Sequence, residues 1–125
     1  MKYLSTYILP FLAVAITAFS LLGCAAKTAL VYEPKGDRQC ESGGLTAQQS
    51  AAKLTNVSID VLASLCGNKT GISMMAMCGA PTSNILLHRI DATYVDDAKA
   101  LGFENVNRLS SGTGDEGYAI TPCDE

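Results

Sequence analysis

The pattern of apolar and polar positions divides the chain at Gly23-Cys24. From Tyr7 to Gly23 no side chain is charged. This apolar run of about 17 residues follows a positive start at Met1 and Lys2, the layout of a secretory signal and at the lower edge of what spans a bilayer. Beyond Cys24 the apolar stretches are short and interleaved with polar residues, as in a folded domain.

Residues 28–33 have the composition of a short strand, but Pro34, Gly36 and Asp37 break it. Residues 24–37 therefore read as a tether, with the domain expected over 38–109. It opens with a short strand at 38–41 and a turn at Gly43-Gly44. Thr46 with Gln49 three positions later fits a capping box, and Ala47, Ala51 and Leu54 then share one helical face to about Thr55. Ile59, Val61, Ala63 and Leu65 alternate with other residues as in a strand ending at Cys66-Gly67. Residues 68–71 form a turn, and 72–78 read as a second strand carrying Met74, Met75 and Met77. Gly79, Ala80 and Pro81 stop it, and 85–90 form a third.

Thr93 with Asp96 marks another helix start, the acid lying near the positive end of the helix dipole. Tyr94, Val95, Ala98 and Leu101 give its apolar face, Gly102 suits the C′ position, and Phe103 can fold back on the last turn. A strand over 104–109 closes the unit. The remainder, 110–125, is a Gly-rich acidic tail in which 118–120 can pair with a sheet edge. Strand–helix–strand thus occurs twice. The expected architecture is α+β: a small ferredoxin-like split β-α-β sandwich with an extra strand between the halves. Two helices lie on a mainly antiparallel, disulfide-stapled sheet.

Composition sharpens the picture at three points. The formal net charge is −3, and loss of a signal segment removes Lys2 as well. The basic footprint that nucleic acid requires is lacking. The chain has no tryptophan, and a core of about 100 residues without one benefits from staples. There are five cysteines.

The fifth is accounted for by Leu21-Leu22-Gly23-Cys24, which resembles the lipobox of bacterial lipoproteins. The resemblance implies a signal peptide over 1–23 and acylation (diacylglycerol and an amide-linked chain such as palmitate) on Cys24. Several acyl chains on one residue make a stable anchor, so the membrane is a partner through Cys24. Ala25 stands where an aspartate would favour inner-membrane retention, so the expected address is the periplasmic face of the outer membrane.

Cys40, Cys66, Cys78 and Cys123 remain, an even set that reads as two disulfides with three connectivities open. With the first strand parallel to the one ending at Cys66, a helix returning between them, Cys40–Cys66 and Cys78–Cys123 are the favoured pairs. Cys66–Cys78 would be poorly aligned across a hairpin. With no Cys-x-x-Cys spacing and one histidine, neither a metal site nor a cofactor is expected.

Candidate chemistry is sparse. His88 lies in a strand with Leu87 taken as inward, so it reads as a surface or edge-strand residue, and its neighbour Asp91 is too local for a catalytic pair. The segment 110–117 has the glycines of a phosphate loop but lacks the Gly-Lys-Ser/Thr ending and carries Asp115 and Glu116. Asp96-Asp97 lacks EF-hand spacing. Asn56 and Asn68 begin glycosylation sequons without meaning in a bacterial lipoprotein. The three methionines offer thioethers to copper, but sheet packing is the simpler use.

Residues 98–103, Ala-Lys-Ala-Leu-Gly-Phe, resemble the second half of SPOR domains, which bind peptidoglycan glycans on a βαββαβ fold. The order cysteine, helix, strand, cysteine, strand, cysteine from Cys40 to Cys78 is similar to the Rcs stress-sensor lipoprotein. No binding residues carry over from either. The expected function is a non-enzymatic binding or interaction module of the cell envelope, for a protein partner or peptidoglycan. A small envelope hydrolase or redox protein is the alternative, and an inhibitor of an envelope-targeted enzyme the third.

Overall fold

The computed structural model describes residues 23–123. The expected signal peptide, except Gly23, lies outside the described residues, as do Asp124 and Glu125. Five strands form one antiparallel sheet in the order β4-β1-β3-β2-β5: β1 (Thr28–Pro34), β2 (Ala63–Lys69), β3 (Asn84–Asp91), β4 (Glu104–Asn105) and β5 (Tyr118–Thr121). Helix α1 (Ala47–Thr55) joins β1 to β2, and α2 (Val95–Ala100) joins β3 to β4. The first four strands have the ferredoxin-like βαββαβ arrangement. The chain is an α+β domain with two disulfides.

Both faces of the sheet are covered. On one, Val31 and Ile90 pack with Leu54 of α1, Ala98 of α2, Ile59 and Phe103. On the other, Tyr32, Ile85 and Leu87 pack under Val106, with Leu109 and Tyr118 alongside as the chain returns to β5. A strand buried on both sides needs no alternation, which is why β1 reads as Ala-Leu-Val-Tyr and β3 as Ile-Leu-Leu.

The capping box is as expected: Thr46 Oγ1 accepts from Gln49 N–H at 3.1 Å and Gln49 Oε1 accepts from Thr46 N–H at 2.9 Å. At the end of α2, Gly102 has φ +98° and its N–H meets Lys99 O, while Phe103 N–H reaches Ala98 O. That is the Schellman pattern, and it drops Phe103 into the core.

Several expectations require correction. Residues 24–37 are not a tether, because 28–34 form β1, paired to β3 on one side and β4 on the other, and the domain begins there rather than at 38. Pro34 ends the strand instead of excluding it. The first strand expected at 38–41 is a loop with a single bridge, Arg38 to Pro81. The methionine segment 72–78 is irregular, so the extra strand is β5 at the far edge of β2, not one between the halves. Strand β2 starts at Ala63, because Ile59 is spent anchoring the turn after α1. Asp91, not Thr93, caps the turn before α2, accepting from Thr93 N–H at 2.9 Å. The last expected strand is cut to Glu104–Asn105, where a 3-10 turn sends Val106 into the core.

The disulfide pairing is also corrected. The bridges are Cys40–Cys78 and Cys66–Cys123, with Cα separations of 5.1 and 5.2 Å. Cys40 follows β1 and Cys78 precedes β3, at the sheet end where these antiparallel strands finish and start. Cys66 stands opposite Thr121 of β5, two residues before Cys123.

Candidate functional site

The register places three polar side chains on the helix-covered face. Val31 of β1 and Ser64 of β2 are the two cross-strand neighbours of His88 on β3. Glu33 follows on the same face of β1. From above, α1 contributes Ser50 and Lys53. Glu33, Ser50 and His88 are buried, and His88 has no exposed surface at all. The sequence placed His88 on an open face. The structure corrects this, because α1 and Phe103 roof it, the Phe103 ring meeting the imidazole edge to face at 5.8 Å.

These residues form one hydrogen-bonded chain. Lys53 Nζ is 2.7 Å from Glu33 Oε2. Ser50 Oγ donates to Glu33 Oε1 at 2.6 Å and lies 2.8 Å from His88 Nε2. Ser64 Oγ is 2.9 Å from His88 Nδ1. The proton positions follow by elimination. The ion-paired carboxylate only accepts, so the Ser50 hydrogen points to Glu33 and its oxygen is left to accept from Nε2–H. A neutral imidazole carrying its hydrogen on Nε2 presents a lone pair on Nδ1, so Ser64 donates there. Burial holds His88 below its ordinary pKa, with the Glu33 carboxylate pulling the other way, which keeps the ring neutral near pH 7.

Ser64 is the exposed end of this chain. Beside it opens a cleft of about 430 Å³ between α1 and the sheet, lined by Lys35, Leu45, Gln48, Ala51 and Leu86 among others. The arrangement is a hydroxyl at a solvent-facing cleft, hydrogen-bonded to a buried neutral base whose tautomer is set by a second hydroxyl and a carboxylate.

The other singled-out residues lie apart from it. Cys24 is exposed and is the one free cysteine among the described residues. Met74, Met75 and Met77 are exposed with Ile72 on the loop before β3. Gln39 pins that loop: its carboxamide donates to Met75 O at 2.8 Å and accepts from Met77 N–H at 3.1 Å. Cys40–Cys78 and the Arg38 guanidinium on Gly79 O hold its other end. Residues 110–116 form an exposed turn whose Asp115 accepts from the N–H of buried Gly117. Asp96 pairs with Lys99 on α2. Among the described residues no three His, Cys, Asp or Glu side chains gather as a metal site.

Glu33, Ser50, Lys53, Ser64 and Gln39 were not singled out from sequence. Ser50 carried a readable signal: it lies three positions after Ala47 and four before Leu54, on the buried stripe of α1. Glu33 carried one too, as the acid closing an apolar run.

Fold and site together define a disulfide-stapled ferredoxin-like domain with a buried Glu-Ser-His-Ser chain reaching one cleft. The chain matches no protein-family model, and no curated protein or solved structure matches it.

Proposed function

We propose that the chain is an envelope lipoprotein, acylated on Cys24 and held at the periplasmic face of the outer membrane, whose domain is a contact module for another protein. The observation that carries this is the methionine loop. Ile72, Met74, Met75 and Met77 are 42–71% exposed, yet their loop is clamped by Gln39 and Cys40–Cys78. Exposed apolar side chains on a held loop form a surface ready for a partner, and methionine adapts its shape to what it meets. Such a surface suits protein better than peptidoglycan, whose hydroxyls and amides call for polar side chains.

The loop's position supports the reading. Cys24 lies just before the start of β1, and the loop precedes β3, whose first residues sit at the opposite end of β1. An anchor at one end and an apolar contact surface at the other fit a protein that reaches away from a membrane.

A photocrosslinking residue at Met75 in living cells tests it. A discrete protein adduct, lost when the same residue is placed at Lys99 on α2, is the expected result. No adduct at Met75, or equal adducts at both, overturns the reading.

The hydrolase alternative has one observation in its favour, the contact of Ser64 with His88. The redox alternative is left with no thiol besides Cys24, since the other four cysteines are bridged.

A further inference from the structure

A buried histidine that merely fills a core needs partners for its two nitrogens, and any two would do. Here one partner is exposed at the mouth of a cleft, and the other is fixed by a carboxylate. The direction of every hydrogen bond runs from solvent to Glu33: Ser64 gives to His88, His88 gives to Ser50, Ser50 gives to Glu33. This polarity is what a hydroxyl nucleophile and its general base require. A histidine hydrogen-bonded the other way round would present an N–H to Ser64 and could not take its proton.

We infer that Ser64 is an acyl-accepting nucleophile, with His88 as its general base, Ser50 and Glu33 as positioning residues, and an ester of a short apolar acid as the substrate class. Ser64 Oγ attacks the ester carbonyl carbon as its proton moves to His88 Nδ1. The carbonyl π pair shifts to oxygen, then returns and expels the alkoxide, which takes the proton from Nδ1. The acyl group remains on Ser64 Oγ. Water, deprotonated by the same nitrogen, attacks the acyl-serine and releases the carboxylic acid, returning the proton to Ser64. No oxidant, metal or cofactor enters the balance. Leu45, Ala51 and Leu86 line the cleft for the acyl chain, and Lys35 and Gln48 are the donors lining it for the carbonyl oxygen.

The inference goes beyond the docking reading and does not depend on it, because the methionine loop and the Ser64 cleft share no residue. Its test uses the full chain in detergent, with a fluorophosphonate as probe and p-nitrophenyl butyrate as substrate. Expected are a single phosphonyl adduct on the peptide carrying Ser64, and ester hydrolysis that falls at least about 100-fold in Ser64→Ala. Ser64→Ala removes the Nδ1 partner of buried His88, so its activity is read in protein shown folded by near-ultraviolet circular dichroism. Ser50→Ala separates positioning from folding: it lowers kcat, with KM unchanged, in protein shown folded by its near-ultraviolet circular dichroism. Three results overturn the inference: no adduct on Ser64, hydrolysis surviving in Ser64→Ala, or loss in Ser50→Ala only in proportion to unfolded protein. Crosslinking at Met75 is unaffected by any of these variants, so the two readings fail separately.

Discussion

The hydroxyl of Ser50 lies 2.6 Å from Glu33 Oε1, and through that contact a helix residue decides which nitrogen of a strand histidine carries the proton. Removing the hydroxyl leaves Nε2–H of His88 and one oxygen of Glu33 without their partner in a closed core. Ser50→Ala should therefore cost about 1–3 kcal/mol, the range for an orphaned buried polar group. In a domain of this size each kcal/mol moves the melting temperature by about 4–8 °C. Urea denaturation of Ser50→Ala, Glu33→Ala and the double variant checks it. Because the two residues share one bond, the double variant should lose clearly less than the sum, and strict additivity would show that the chain is not one unit.

Acid sensitivity follows from two groups with different windows. Burial depresses the His88 pKa, partly offset by Glu33, so the unfolded chain takes up that proton first as pH falls. The stability it contributes is complete above about pH 6.5 and is lost as pH falls through the lower folded value. For Asp37, burial pushes the carboxyl up, but hydrogen bonds from Thr82 and Asn84 outweigh it and hold it below the usual value. Its contribution is lost later, below about pH 4. The urea midpoint should therefore decline in two steps between pH 7.5 and 3. His88→Gln should erase the upper step alone, and an upper step that persists in it would assign the titration elsewhere.

What the sequence disclosed was mostly local. The capping box at Thr46 and Gln49, the stop at Gly102 and the strand at β3 each depend on residues within a few positions of one another, and the structure has them where expected. The pairing of 118–120 with a sheet edge was also legible, from a short apolar stretch behind glycines. The rest of the fold depends on distant partners. Residues 28–34 become a central strand only because β3 and β4 flank them, and nothing in Pro34 or Gly36 reports that. Residues 72–78 have strand-like composition but no partner strand. Gln39 and Cys40 meet that segment only because two loops converge at one end of the sheet. For His88, strand alternation says which residues share its face, not whether that face is covered. The residues of the candidate site come from four elements, β1, α1, β2 and β3, and no spacing rule links them.

Gly117 marks the turn that aims the tail at β2. Its φ is +80°, and a Cβ there would fall 2.0 Å from Leu109 O, against backbone that cannot retreat. Gly112, in the exposed stretch just before it and with φ +78°, has open space around it. Gly112→Ala should thus cost about 1 kcal/mol, the left-handed penalty alone. Gly117→Ala should cost several times more and free β5, exposing the β2 edge to proteolysis. Thermal melts of the two variants side by side check the contrast, and equal losses would refute the steric argument.

The two disulfides should be separable. In the chain-entropy account, closing loops of 38 and 57 residues is worth about 4 kcal/mol each. The structural consequences differ. Replacing Cys66 and Cys123 by serine releases β5 and the tail, leaving the methionine loop clamped. Replacing Cys40 and Cys78 loosens that loop, which keeps only Gln39 and Arg38. Non-reducing peptide mapping should recover Cys40 with Cys78 and Cys66 with Cys123. Hydrogen exchange should then rise in 118–121 for the first pair of substitutions and in 72–80 for the second, and the reverse distribution would count against the described packing.

The distance between Cys24 and β1 gives the last prediction. Only Ala25, Ala26 and Lys27 separate the cysteine from Thr28, so even fully extended chain spans about 14 Å. Acylation of Cys24 would therefore hold the Thr28 end of the sheet close to the lipid headgroups. At that end lie the turn after α1 and the turn after β3, where Val57, Leu62 and Tyr94 expose 41–59% of their surface. Leu62 is fixed there by its N–H on Arg89 O, and Lys27 O accepts from Ala92 N–H. A photoreactive residue at Leu62 should give lipid adducts in membranes, while the same residue at Met75 gives none. In Cys24→Ser the Leu62 adducts should disappear, since three apolar side chains beside acidic Asp60 and Asp97 are too weak a membrane anchor alone. Lipid adducts at Met75 would invert the orientation, and adducts at Leu62 that survive Cys24→Ser would separate membrane contact from acylation.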